Sequence, residues 1–123
     1  MLNIRHAAEG ETRDRTGEPI FEGAVHARPY IEPGESEHLT AAVVHFSPGA
    51  RTRTHRHTSD QLLIVTSGIG KVGDADGEYV VASGDSVLIP AGHDHWHGAG
   101  DTGSPMSHIT VQQAGSQTTV LDD

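Results

Sequence analysis

Two stretches decide how this chain is read: Gly49-Ala50-Arg51-Thr52-Arg53-Thr54-His55-Arg56-His57-Thr58-Ser59-Asp60-Gln61 and Pro90-Ala91-Gly92-His93-Asp94-His95-Trp96-His97. In an extended strand, side chains two residues apart share a face. His55 and His57 therefore emerge side by side, as a metal clamp requires, and His95 on a later strand can close the site from across a sheet. Gln61 is the fourth candidate ligand. Polar side chains in the middle of short strands need a compensating partner if they are buried. A barrel interior with the histidines turned inward onto a metal supplies one.

The rest of the chain reads as short strands punctuated by turns. Strands are expected over residues 21–28, 39–46, 51–57, 61–66, 70–73, 78–82, 86–89, 94–98 and 106–113. Ser67-Gly68 is read as the end of one strand, and Asp74-Ala75-Asp76-Gly77 as a hairpin turn. No stretch carries a helical apolar period. The expectation is an all-β fold, a barrel or sandwich of short antiparallel strands. Residues 1–20 are polar and charged and read as an N-terminal arm. Residues 21–113 form one domain, and residues 114–123 a polar C-terminal tail. There is no internal repeat and no dividing linker.

Composition narrows the chemistry. A chain of 123 residues suits one domain with its own core. The absence of cysteine excludes disulfides, thiolate metal sites and cysteine nucleophiles. A formal net charge of −9 argues against nucleic acid and anionic membrane as partners. No apolar stretch reaches membrane-spanning length, and no signal-peptide pattern opens the chain, so the expected location is the cytoplasm. Lys71 is the single lysine beside seven arginines. That acidic, lysine-poor balance fits either a high-salt environment or a GC-rich coding bias.

The glycine and proline frame carries a family resemblance. Gly49, five residues, His55, one residue, His57, three residues, Gln61, six residues and Gly68 resemble the first cupin motif. Gly84, five residues, Pro90, one residue, Gly92, two residues and His95 resemble the second. The resemblance implies a cupin domain over 21–113: a jelly-roll barrel holding one divalent metal through three histidines and a carboxylate. Here Gln61 stands where the family usually has Glu, and Ala99 where it usually has Asn. A neutral amide ligand leaves the metal its full double charge, which favours Lewis-acid work. Pro48-Gly49-Ala50-Arg51-Thr52, the stretch from Gln61 to Thr66, His95-Trp96-His97-Gly98-Ala99 and His108 are similar to small single-domain cupins that act as manganese-dependent hydroxynitrile lyases. That similarity implies Mn(II), with Fe, Ni, Zn, Co or Cu also compatible with His and Gln donors. It also implies a small-molecule substrate and a homodimer.

The candidate roles follow. His55, His57, Gln61 and His95 are metal ligands. His97 shares the strand face of His95 and is assigned as general acid or base near the open coordination positions, against the alternative that it only orients a ligand. His108 shares a face with Thr110 and Gln112 and is assigned to a proton relay or substrate contact. Ala42, Val44, Phe46 and Gln112 are assigned to the substrate pocket. Trp96 is read as core or interface, and His6, His26, His38 and His93 as surface histidines. Strand alternation alone leaves the direction of Arg51 and Arg53 open. Three functions compete: a metal-dependent lyase on a hydroxyl-bearing substrate, an iron-dependent dioxygenase, and a non-catalytic module that binds a small ligand or metal.

Overall fold

The computed structural model describes residues 1–121. Twelve strands follow one another: β1 (Arg13–Asp14), β2 (Phe21–Glu22), β3 (Val25–Pro29), β4 (Leu39–Phe46), β5 (Arg51–Thr52), β6 (His55–His57), β7 (Gln61–Asp74), β8 (Gly77–Ala82), β9 (Ser86–Ile89), β10 (Trp96–Gly98), β11 (Met106–Gln113) and β12 (Thr118–Val120). Among the described residues one 3-10 turn, Gly100–Thr102, interrupts them. The main sheet runs in the order β1-β3-β4-β11-β7-β10-β5-β2, with β8 and β9 also on β7, and every pairing is antiparallel. The sheet curls into the all-β jelly-roll barrel that the sequence led us to expect. Among the described residues no helix is long and apolar enough to cross a membrane.

Three features differ from the expected strands, and each sets a side-chain direction. The first is β7, which does not end at Ser67-Gly68 but runs for 14 residues. The register against β11 slips between Ser107 and His108, so that Ser107 faces Ser67 while His108 faces Val65. This one-residue bulge switches the inward parity from Gln61, Leu63 and Val65 to Gly70 and Val72. Gly68, at the bulge, has φ +76, and a Cβ there would overlap the Pro105 carbonyl. Second, residues 51–57 form two strands rather than one. The break at Arg53-Thr54 moves the inward parity from Thr52 to His55 and His57. Arg53 is thereby exposed, and Arg51 is turned outward onto Trp96, its guanidinium carbon 3.8 Å from the ring centroid. Third, the expected strand over 21–28 breaks at Gly23-Ala24 into β2 and β3.

Both terminal segments join the sheets. Arg13 and Asp14 of the arm pair with Ala27 and His26. Residues 118–120 of the C-terminal segment pair with β6, Thr118 against His57 and Val120 against His55. The apolar core lies between the barrel walls and includes Val25, Val44, Phe46, Val65, Ala99 and Met106. It adjoins the histidines: Phe46 packs against His97 and His108, and Phe21 and Val44 line the same cavity.

Trp96, the only tryptophan, is held between the Arg51 guanidinium and the backbone of β7, because a Cβ at Gly73 would overlap its indole. Gly73→Ala should therefore displace the ring, destabilise the fold by about 1–3 kcal/mol and red-shift the tryptophan emission. Gly34→Ala, at a turn with φ +87 and no neighbour within 4 Å, should cost about 1 kcal/mol and leave the emission unchanged. Denaturant melts followed by fluorescence check both.

Candidate metal centre

His55 and His95 lie opposite each other, joined by two backbone hydrogen bonds of 2.9 Å between their own N–H and C=O groups. Their ring centroids are 4.3 Å apart. His57, two residues along β6, places its ring 4.8 Å from that of His55 and 5.6 Å from that of His95. Gln61 opens β7 and turns its amide into the same space. The amide nitrogen donates to Thr110 Oγ1 at 2.8 Å, so the oxygen Oε1 is what faces His95 Nε2, at 3.2 Å. The structure thus brings together all four residues assigned as ligands, and each is buried.

Hydrogen bonds on the far side of each ring fix its orientation. His55 Nδ1 donates to the Arg53 carbonyl at 2.7 Å, and His95 Nδ1 to the His93 carbonyl at 2.8 Å. A carbonyl can only accept, so both rings carry the proton on Nδ1 and present the Nε2 lone pair inward. His57 Nδ1 lies 2.7 Å from Thr118 Oγ1. Among the described residues the Nε2 atoms of His55 and His57 are buried without any hydrogen-bond partner. His95 Nε2 faces Gln61 Oε1, acceptor against acceptor. Buried acceptors that converge without a donor are costly on their own, and a cation shared among them removes the cost. This donor set, three neutral imidazoles and an amide oxygen, suits a first-row divalent cation.

His97 and His108 form a separate pair beside this group. His97 Nδ1 is 3.0 Å from His108 Nε2, and neither contact atom faces a carbonyl. His97 Nε2 and His108 Nδ1 have no partner. Backbone placement is firm: His97 N–H donates to Thr52 Oγ1 at 3.0 Å. Phe46 packs its ring against both imidazoles, at centroid distances of 5.9 and 5.4 Å. One nitrogen from each of His55, His95 and His97 also lies within 4.8 Å of the other two. By distance alone His97 could therefore replace His57 in a three-histidine set. The far-side contacts differ: His55 and His95 donate to carbonyl oxygens and His57 meets a hydroxyl, while His97 meets another imidazole.

Burial holds all these imidazoles in the neutral form. It lowers the His55 pKa to about 3, a shift opposed by the Arg53 carbonyl and reinforced by His95 and His57. It lowers His57 to about 4, with His95 adding to the shift, and His108 likewise to about 4, with a smaller push from His45. His95 is lowered mainly by burial. His97 is pushed well below the ordinary imidazole range by burial and then by His108 and the neighbouring rings.

The group opens on a cavity of about 170 Å³, small beside typical ligand pockets of about 300 Å³ and more. Val44 and Gln112 line it, as assigned from sequence, together with His55, His57, Gln61, His97 and His108. Phe46 stands behind the histidine pair rather than on the wall. Ala42 lies elsewhere, in a surface depression with Arg13, Asp14, Ala27 and Pro29. Arg15 borders both spaces. Several wall residues had no clear sequence signal. Ile20, Phe21 and Arg15 come from the arm and β2, Thr52 from the strand break, and Thr118 from the C-terminal segment. Thr110 shares the strand face of His108 and was legible by parity. Among the remaining histidines, His93 bonds Asp74 at 2.9 Å and His45 bonds Ser107 at 2.7 Å, both on the surface.

A curled antiparallel barrel with inward histidines from β6 and the start of β10 defines a cupin, and the chain belongs to that family: the cupin domain matches residues 42–112. The chain is 38% identical over 96 residues to an (R)-mandelonitrile lyase of Granulicella tundricola, covering 76% of this chain and 71% of that one. Among solved structures it is similar to a cupin-like protein of Thermotoga maritima, with TM-score 0.83 and 28% identity over 92% of this chain and 87% of the other. A polyketide cyclase of Streptomyces resistomycificus shares the fold, with TM-score 0.86 at 17% identity over 100% of this chain and 87% of the other.

The lowered histidine pKa values make a sign-definite prediction for the metal-free protein. Each of these groups binds a proton more readily when unfolded, near pH 6.5, than when folded, at about 3 to 4 for His55, His57 and His108. Their contribution is fully present above pH 6.5 and is lost as the pH falls toward 3. At pH 5, unfolding should take up about three protons from these groups alone. Denaturant stability measured between pH 7 and pH 5 should fall steeply; a flat profile would contradict neutral burial.

Proposed function

We propose that this chain is a metal-dependent lyase of the hydroxynitrile type, acting on a small substrate that carries a hydroxyl beside a nitrile. His55, His57, Gln61 and His95 hold one divalent cation, Mn(II) being the cation of the cupins it resembles. His97, backed by His108, is the acid/base group. The observation that carries this reading is the difference between the two kinds of imidazole. His55 and His95 are locked by carbonyls into the ligating tautomer, whereas His97 is paired nitrogen to nitrogen with His108. Such a pair needs one N–H and one lone pair, and once His97 Nε2 has taken a proton the bridging proton can pass to His108. The similarity to the mandelonitrile lyase agrees with it.

A bound divalent cation supplies Lewis acidity toward the substrate oxygen. The chain's residues supply the proton handling. His97 is neutral, so Nε2 takes the hydroxyl proton while Nδ1–H donates to His108 Nε2. The electron pair of the O–H bond becomes part of the new carbonyl, and the pair of the C–CN bond leaves with cyanide. His97 Nε2 then returns its proton to cyanide, giving an aldehyde and hydrogen cyanide. Ile20, Phe21 and Val44 form the apolar side of the cavity and exclude water from the leaving group. Gln61, as a neutral donor, adds no competing carboxylate base.

Mn(II)-loaded protein should release benzaldehyde from mandelonitrile, followed by its absorbance. His97→Ala, loaded in the same way, should be slower by about 10²–10⁴. Absence of benzaldehyde with the cation confirmed bound would overturn the lyase reading. Consumption of dioxygen by iron-loaded protein with an aromatic diol would favour a dioxygenase in its place.

A further inference from the structure

We infer that the C-terminal segment is part of the metal centre, and that the Thr118 hydroxyl is a positioning group that holds His57 as a ligand. This rests on the metal-centre reading above. The three far-side contacts of His55, His95 and His57 are not equivalent. His55 and His95 each use the carbonyl two residues earlier in their own chain segment, Arg53 and His93. Those contacts come with the local backbone. His57 alone depends on a side chain 61 residues away, Thr118 Oγ1 at 2.7 Å.

The segment that delivers Thr118 is clipped to β6 along its length. Thr118 pairs with His57, Thr119 with Arg56 and Val120 with His55. Thr58 N–H donates to the Gln117 carbonyl at 2.9 Å, and Gln117 N–H donates back to Thr58 Oγ1 at 2.9 Å. Ser59 Oγ donates to Ser116 Oγ at 2.8 Å, and Leu121 N–H donates to the Thr54 carbonyl at 2.9 Å. Thr118 also lines the cavity into which the His57 ring points.

A hydroxyl can donate or accept. Only in accepting does it place the His57 proton on Nδ1 and leave Nε2 with a lone pair. Nε2 is buried and makes no hydrogen bond among the described residues; the nearby Gln61 side chain favours the protonated ring but is not placed to pair a proton on Nε2. The accepting role is therefore both the one that suits ligation and the one that avoids an orphaned donor. The polar tail thus acts on the site through one hydroxyl. It sets the tautomer and tilt of His57, which, unlike His55 and His95, has no backbone carbonyl to fix its ring.

The test uses Thr118→Val, which keeps the β-branched shape and removes the acceptor, with Thr118→Ser as rescue and Thr119→Val as control. Two readouts are needed. In metal-free protein, long-range ¹H–¹⁵N spectra should show His57 protonated on Nδ1 in wild type and in Thr118→Ser. In Thr118→Val that tautomer should be lost or mixed. In Mn(II) titrations followed by electron paramagnetic resonance, Thr118→Val should bind about 10–100-fold more weakly, while the other two variants match wild type. An unchanged metal-free melting temperature establishes that β12 stays in place. The inference is overturned if wild-type His57 carries its proton on Nε2, or if Thr118→Val alters neither tautomer nor affinity. A wild type that takes up no Mn(II) would instead defeat the metal-centre reading, and the tautomer spectra would still decide the role of Thr118.

Discussion

The structure depends on one constraint: five imidazoles and one amide are buried in the barrel of a 123-residue protein, and each ring nitrogen left without a partner carries a cost. Unpaired burial would cost about 1–3 kcal/mol per group, which is comparable to the whole stability of a small domain if repeated several times. The fold answers on two sides. Backbone carbonyls of Arg53 and His93 and the Thr118 hydroxyl take the outer ring nitrogens. The inner nitrogens are left converging, an arrangement that makes sense around a cation.

Strand irregularities are what aim those groups. A straight strand over 51–57 would give Arg51, Arg53, His55 and His57 the same face. The break before His55 lets the histidines enter while the arginines stay outside, Arg51 clasping Trp96. The bulge in β7 does the same for two halves of one long strand. Its first half turns Gln61 inward beside Thr110, and its second half turns Gly70 and Val72 inward against the core. Bulges beside functional sites are a common means of re-aiming side chains.

Much of this was legible in the sequence, and the exceptions have physical causes. The all-β barrel, β4, β9 and β11 follow from alternation and turn residues. The convergence of His55, His57, Gln61 and His95 follows from strand parity combined with the glycine and proline frame. Alternation fails where parity changes, so β7 reads as two short strands, and within 51–57 it leaves the direction of Arg51 and Arg53 open unless the strand bends before His55. Ala42 shares parity with Val44, but parity says nothing of distance along a strand, and Ala42 lines a different depression. Thr118 carried no signal at all. It lies in a polar segment without periodicity, and its partner is 61 residues away, so only the three-dimensional pairing of β12 with β6 reveals it.

The central claim is that His57, not His97, completes the histidine set around the cation. Pulsed electron paramagnetic resonance of Mn(II)-loaded protein counts coordinated imidazoles through their remote nitrogens, and it tests this directly. We predict about three coupled imidazoles in wild type, the same count in His97→Ala, and one fewer in His57→Ala. A count that drops in His97→Ala and holds in His57→Ala would contradict the account and make His97 a ligand in place of an acid/base group.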